Sequence, residues 1–456
     1  MKNNNIIGIS SESLNIFQDL LKSYKIANTD KFFENVDLSF DVERISFNFL
    51  GCWNSYKHNV LKGKFTELKF QNDNAIHDTK EINSFLDSRS LPLISDMMTS
   101  MKNIFLPTFS IVAGDNYYQK NSYISKKSYA SLQKNINEGF SILEKNKMPY
   151  FFTIGQHDIE NPKVLKYEFE KSYSNISKIN NSNEYKFGNW IMPSRYYSLY
   201  VKTDDMKLES LFIFLDTNLF NSTNDLKVYK NKMMDWFEKI LQKHTSYTIS
   251  NYVPNLPIFV IGHHPYHAVG DKENTRYIYN DKLDDMYNLI IKYGVKFYLC
   301  ADAHNFQYIY DDKNDIHHII SGGAAAGEET YTYKYNHIPY STSGVSIDNY
   351  ENFKVKMLIN APHYVSFLVN DQGIYFNTIS LVSNNEHSLE HLVVKCTDVD
   401  LSKLNKYYGI CYTKYIPKYM DLIFISDCLS YMNKKKKVPT NSQSAGKRYI
   451  YKLKYI

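Results

Sequence analysis

Short apolar runs rich in β-branched and aromatic residues recur along most of this 456-residue chain, and they constrain its fold more than any other feature. They include Ile45–Leu50, Phe109–Ala113, Tyr150–Ile154, Leu211–Leu215, Pro257–Ile261, Val295–Cys300 and His318–Ile320. Runs of this length without alternation are what strands look like when both sheet faces are covered. Amphipathic stretches long enough for helices lie between them, such as Tyr129–Lys145 and Lys227–His244. That alternation predicts an α/β architecture. Residues 364–382 read as a hairpin turning through Asn370, Asp371 and Gly373. The expected organisation is an N-terminal helical extension over 1–44, a main domain over 45–382 and a C-terminal appendage over 383–456 ending in a basic tail. In the extension, a helix starting at Glu12 or Ser13 would align Leu14, Phe17, Leu21 and Tyr24.

Composition excludes several classes. Apolar residues at 43% and charged residues at 22% are ordinary globular values, so neither disorder nor a fibrous repeat is expected. The net charge of +5 is misleading as a sign of nucleic-acid binding. Lys434 to Lys437, Lys447, Arg448, Lys452 and Lys454 hold eight basic groups without an acid, leaving the body slightly acidic. Nucleic acid is therefore not an expected partner. Five cysteines do not make a disulfide framework. The N-terminus has no apolar core of a signal peptide, and no stretch reaches the ~20 apolar residues of a membrane span. The expectation is an intracellular, cytoplasmic protein with free thiols and no membrane association.

The chemistry clusters where strands end, which is where open α/β sheets bind ligands. In chain order the runs are followed by Gly51-Cys52-Trp53-Asn54, Gly114-Asp115-Asn116-Tyr117-Tyr118, Gly155-Gln156-His157-Asp158, Gly262-His263-His264-Pro265 and Ala301-Asp302-Ala303-His304. Glycine lets a chain turn sharply off a strand. Thiol, carboxylate, phenol, amide and imidazole are metal-ligating groups. The order resembles that of the calcineurin-like metallophosphoesterases, and within them the purple acid phosphatase branch, marked by GDxG, GDxxY, GNH[DE], GHxx and GHxH. Leu215-Asp216-Thr217 and Ile320-Ser321-Gly322-Gly323-Ala324 resemble two further segments of that branch.

The resemblance implies a sandwich of two packed mixed sheets flanked by helices, and hydrolysis of a phosphate ester by metal-bound hydroxide at a dinuclear site. The substrate would be a phosphorylated small molecule or a phosphoprotein. Asp115 would bridge two metal ions drawn from Fe, Zn or Mn. Cys52, Tyr118 and His304 would complete the first site, His263 would bind the second ion, and Gln156 and Asp302 would occupy two further ligand positions. His157 would protonate the leaving group, and Asp158 would orient its ring. Cys52, Gln156 and Asp302 stand where the family pattern has Asp, Asn and His. Each replacement is itself a competent ligand, and together they add one formal negative charge. A thiolate favours Zn(II) or Fe(II) over the Fe(III) that a tyrosinate selects. Two readings follow: a phosphoesterase with a remodelled site, or a catalytically silent member of the fold acting as a binding or structural protein.

Overall fold

In a computed structural model, the apolar runs form the centres of two mixed β-sheets packed face to face, with helices outside. The structure describes residues 5–24, 29–54, 91–118 except 93, 97, 100, 103 and 104, 129–179, 182–221, 226–251, 256–269, 277–324, 340–342, 352–359, 363–370, 373–381, 397–399, 407–418 and 421–425. Among these, the larger sheet has twelve strands and the smaller nine. The centre of the larger sheet is parallel, running Glu209–Phe214, Ile258–Ile261, Phe297–Cys300 and Ile316–Ser321 side by side. The smaller sheet has a parallel centre too, with Ile45–Leu50, Phe109–Val112, Tyr150–Phe152 and Trp190–Ile191 in order.

The sandwich follows from the absence of polar alternation. Along the larger sheet, Phe212, Phe214, Phe259, Ile261, Phe297 and Leu299 face the other sheet. Their neighbours Leu211, Ile213, Val260 and Tyr298 pack instead with Met233, Phe237, Met286 and Ile290 from helices Lys227–Asn251 and Asp284–Lys292. The smaller sheet is covered in the same way by Leu132, Ile136, Phe140 and Leu143 of helix Tyr129–Glu144. Phe47 marks the meeting of the sheets. Its ring lies against Phe109 and Phe367 of its own sheet and edge-on to Phe212 and Phe259 of the other.

The expected hairpin is present as His363–Asn370 paired with Gly373–Leu381. The N-terminal segment differs from expectation. Its helix, Leu14–Ser23, is there, but strands Ile6–Ile9 and Val36–Val42 flank it and belong to the larger sheet. Val36–Val42 does alternate, buried at every second residue, and it pairs in parallel with Tyr197–Thr203. Beyond the hairpin, strand Tyr407–Lys418 continues the smaller sheet alongside Gly373–Leu381. The lysine-rich segment from 434 onward and residues 55–90 lie outside the described residues. Among the described residues, no helix is long and apolar enough to cross a membrane.

Candidate metal centre

Both sheets point the carboxyl ends of their parallel strands at one place. Cys52, Asp115, Tyr118, Gln156 and His157 follow three neighbouring strands of the smaller sheet, and His263, Asp302 and His304 follow two neighbouring strands of the larger. Cys52, Asp115 and His263 form a fully buried floor. Tyr118, Gln156, His157, Asp302 and His304 are half-buried around it.

The backbone here is strained. Cys52, Asp115 and Asp302 all have positive φ, at 50°, 53° and 58°. Non-glycine residues adopt this left-handed region only where surrounding structure enforces it, and such residues concentrate at functional sites. The glycines do more than turn the chain. A β-carbon on Gly155 would sit 2.1 Å from the Asp115 nitrogen, and one on Gly114 would sit 2.6 Å from the Gly155 nitrogen. Only glycine lets these two loops meet.

Asp115 lies at the middle of the constellation. Its Oδ2 accepts from the Tyr118 hydroxyl at 2.9 Å and lies 3.9 Å from Cys52 Sγ. Its Oδ1 accepts from the His157 backbone N–H at 3.0 Å and lies 3.4 Å from His263 Nε2. The Tyr118 hydroxyl is also 3.1 Å from His304 Nε2. On the other side, His263 Nε2 is 3.8 Å from Asp302 Oδ1, which accepts from the Gln156 amide at 3.2 Å. All seven expected ligand positions thus connect through Asp115 and Asp302.

Three of them meet a direct test of fit. Ligand atoms of Cys52, Asp115 and His263 all lie within 4.8 Å of one another. His263 Nδ1 lies 2.7 Å from the Ala113 carbonyl, so Nδ1 must carry the proton. That leaves Nε2, a buried nitrogen with no hydrogen-bond partner among the described residues, facing the two carboxylates. This tautomer, fixed from behind by a carbonyl, is the one a metal-ligating histidine uses.

Charge couples the floor. Burial disfavours ionised His263, but the Asp115 carboxylate outweighs it and lifts the imidazole pKa to about 10. Burial would also raise Asp115, yet the His263 charge holds it far below the ordinary carboxylate range. Burial, reinforced by the Asp115 charge, pushes both the Cys52 thiol and the Tyr118 phenol well above their ordinary values.

Asp158 departs from its expected role. Its carboxylate accepts the backbone N–H groups of Gly155, Asn116 and Tyr117 and the Asn116 amide, at 2.7–3.1 Å. It clamps the loop carrying Gln156 and His157 to the loop carrying Asp115, and burial raises its pKa to about 7. The group that meets the His157 ring is Glu160, with Oε1 3.0 Å from Nδ1. Glu160 was not legible as a site residue, since no strand-end pattern includes it. The Leu215-Asp216-Thr217 segment is a brace. Asp216 pairs with Arg195 at 2.6 Å, and Asn218 donates to the Ile154 and Gly155 carbonyls. His264 bonds Thr217 at 2.8 Å and His267 packs against Phe353, so both are structural.

The calcineurin-like phosphoesterase family model matches residues 95–306, beginning after Cys52 and ending just past His304. That match, with the curated relative below, supports the calcineurin-like phosphoesterase superfamily and its purple acid phosphatase-like branch. Among curated proteins it is similar to rabbit (Oryctolagus cuniculus) tartrate-resistant acid phosphatase type 5, 25% identical over 221 residues, or 47% of this chain. It spans 60% of that relative's length. Among solved structures, GAP50, described as the anchor in the inner membrane complex of Plasmodium, aligns at 16% identity and a TM-score of 0.47, covering 74% of this chain and 85% of that one. The purple acid phosphatase PPD1 from yellow lupin (Lupinus luteus) seeds aligns at 10% identity and a TM-score of 0.45, covering 83% and 57% respectively.

Proposed function

We propose that this chain is a metal-dependent phosphoester hydrolase whose metal ions are held by Cys52, Asp115, Tyr118 and His304 on one side and Asp115, Gln156, His263 and Asp302 on the other. One observation carries the reading. The two oxygens of a single buried carboxylate, Asp115, face two separate groups of ligating side chains. A carboxylate so placed suits a bridge between two cations. When bound, such ions activate water and neutralise charge developing on a phosphoryl group in flight.

The chain's own groups supply the rest. His157 stands on the half-buried rim, its backbone N–H tied to Asp115, suited to deliver a proton to a departing alkoxide or phenoxide. Asp158 and Asn218 hold its loop from below. Cys52 sets the metal preference. A buried thiol beside a carboxylate and an imidazole is a donor set for Zn(II) or Fe(II). The substrate is a phosphorylated small molecule or phosphoprotein.

A second reading has its own support. Without metal several of the groups meet one another: Tyr118 bonds Asp115, Gln156 bonds Asp302, and charged His263 lies 3.4 Å from Asp115. A silent protein keeping the fold for binding could rest in that state. Elemental analysis of purified protein separates the two, with about two metal equivalents expected for a dinuclear hydrolase and a trace for a silent one. Metal-dependent hydrolysis of p-nitrophenyl phosphate should fall ~10³-fold in Asp115→Asn, since the bridge serves both ions. Activity unchanged in that variant would assign it to a contaminant.

A further inference from the structure

The proposed hydrolase needs its proton donor held in one orientation, and the structure offers a residue for this that the strand-end motifs do not contain. Glu160 closes the helical turn Gln156–Ile159, just before Pro162 starts the next helix. Its carboxylate oxygen lies 3.0 Å from His157 Nδ1. A carboxylate only accepts, so one at this distance favours a proton on Nδ1 and leaves Nε2–H as the proton free to be delivered. Nε2 has no hydrogen-bond partner among the described residues.

An exposed pair three residues apart on a helix is ordinarily worth little. This pair sits on a backbone fixed at both ends. Asp158 gathers the Gly155, Asn116 and Tyr117 N–H groups, and Asn161 caps the following helix through the Lys163 N–H. The Tyr118 ring also packs against the imidazole in a tilted contact, with centroids 4.7 Å apart and planes inclined at 51°. Two contacts meet the ring itself, Tyr118 beside it and Glu160 at Nδ1, while Asp115 fixes the backbone it hangs from.

We infer that Glu160 is a positioning residue for His157. It holds the protonated ring with Nδ1–H on its carboxylate and Nε2–H turned to the departing oxygen of the phosphate ester, an inference that rests on the hydrolytic reading above. That oxygen takes the Nε2 proton and leaves a neutral Nδ1–H imidazole. Its role should appear most clearly where protonation of the leaving group matters most. In full-length, metal-loaded protein, Glu160→Ala should lower kcat about tenfold for phenyl phosphate, whose leaving group is poor. KM should stay nearly constant, and p-nitrophenyl phosphate, with a good leaving group, should lose much less. Glu160→Gln should recover most of the loss, because the amide oxygen accepts the same Nδ1–H bond. Equal losses on both esters, or no recovery with Gln, would overturn the assignment.

Nitrogen-15 NMR of the His157 ring tests the placement without turnover. The neutral ring, which has given up its Nε2 proton, should be the Nδ1–H tautomer in the wild type and a mixture in Glu160→Ala. An unchanged tautomer in Glu160→Ala would sink the inference even in an active enzyme. If the wild type hydrolyses neither ester, the hydrolytic reading fails by itself, and the NMR comparison still decides whether Glu160 sets the ring.

Discussion

Cys52 stands where the purple acid phosphatase pattern has an aspartate, and its surroundings decide what that means. The thiol is fully buried, yet it faces Asp115 at 3.9 Å, and its backbone is held at a φ of 50°. A silenced cysteine needs neither feature. Cobalt-loaded protein should therefore show sulfur-to-metal charge transfer in the near ultraviolet, absent from Cys52→Ser. A spectrum identical in the two proteins would place the metal elsewhere. The same floor fixes a pH dependence. In the metal-free protein His263 rises from an ordinary 6.5 to about 10, so its contribution to stability is full below pH 6.5 and is lost as pH climbs through 10. Metal must displace that proton and the Cys52 thiol proton as well. Apparent zinc affinity should then rise with about two protons released per site near pH 7–8, or roughly a hundredfold per pH unit. Calorimetry in buffers of different ionisation enthalpy measures this number. A value near zero would exclude His263 and Cys52 as ligands.

At the scale of elements, strand ends were legible because burial and chemistry leave opposite marks on the sequence. Unbroken apolar runs such as Phe109–Val112 and Ile258–Ile261 become strands covered on both faces. The polar clusters behind them become the loops of one pocket. The braces were not legible. Arg195 pairs with Asp216 across 21 residues, and Glu160 acts through a side chain that follows no periodicity. Val36–Val42 was missed for a related reason, since its parallel partner Tyr197–Thr203 lies about 160 residues away and no local signal announces it. The Arg195–Asp216 pair carries a prediction of its own. Both side chains are buried, and Asp216 also holds Asn218, which grips the loop bearing His157. Asp216→Asn leaves a buried guanidinium uncompensated and should cost about 3–5 kcal/mol in denaturant unfolding. A loss below about 1 kcal/mol would show the pair to be replaceable by solvent.

Across the whole molecule, the centre joins two sheets that meet largely through apolar side chains, at rings such as Phe47. Cys52, Asp115 and Tyr118 ride on one sheet, and His263, Asp302 and His304 on the other. Ligand spacing therefore depends on how the sheets seat against each other, and a bound cation should in turn clamp them. Phe47 tests this from a distance, because it lies five residues before Cys52 and touches Phe212 and Phe259 across the interface. Phe47→Ala should destabilise the metal-free protein by about 3–5 kcal/mol. It should also weaken zinc binding, although no ligand is altered. Saturating zinc, at a thousandfold excess over Kd, should restore about 4 kcal/mol to the wild type. The variant should gain less at the same zinc concentration, since its affinity is lower. Thermal unfolding of both proteins with zinc and with chelator gives the four values required. If Phe47→Ala lowers stability while zinc adds equally to both proteins, the sheets do not set the ligand spacing, and the centre is built by its loops alone.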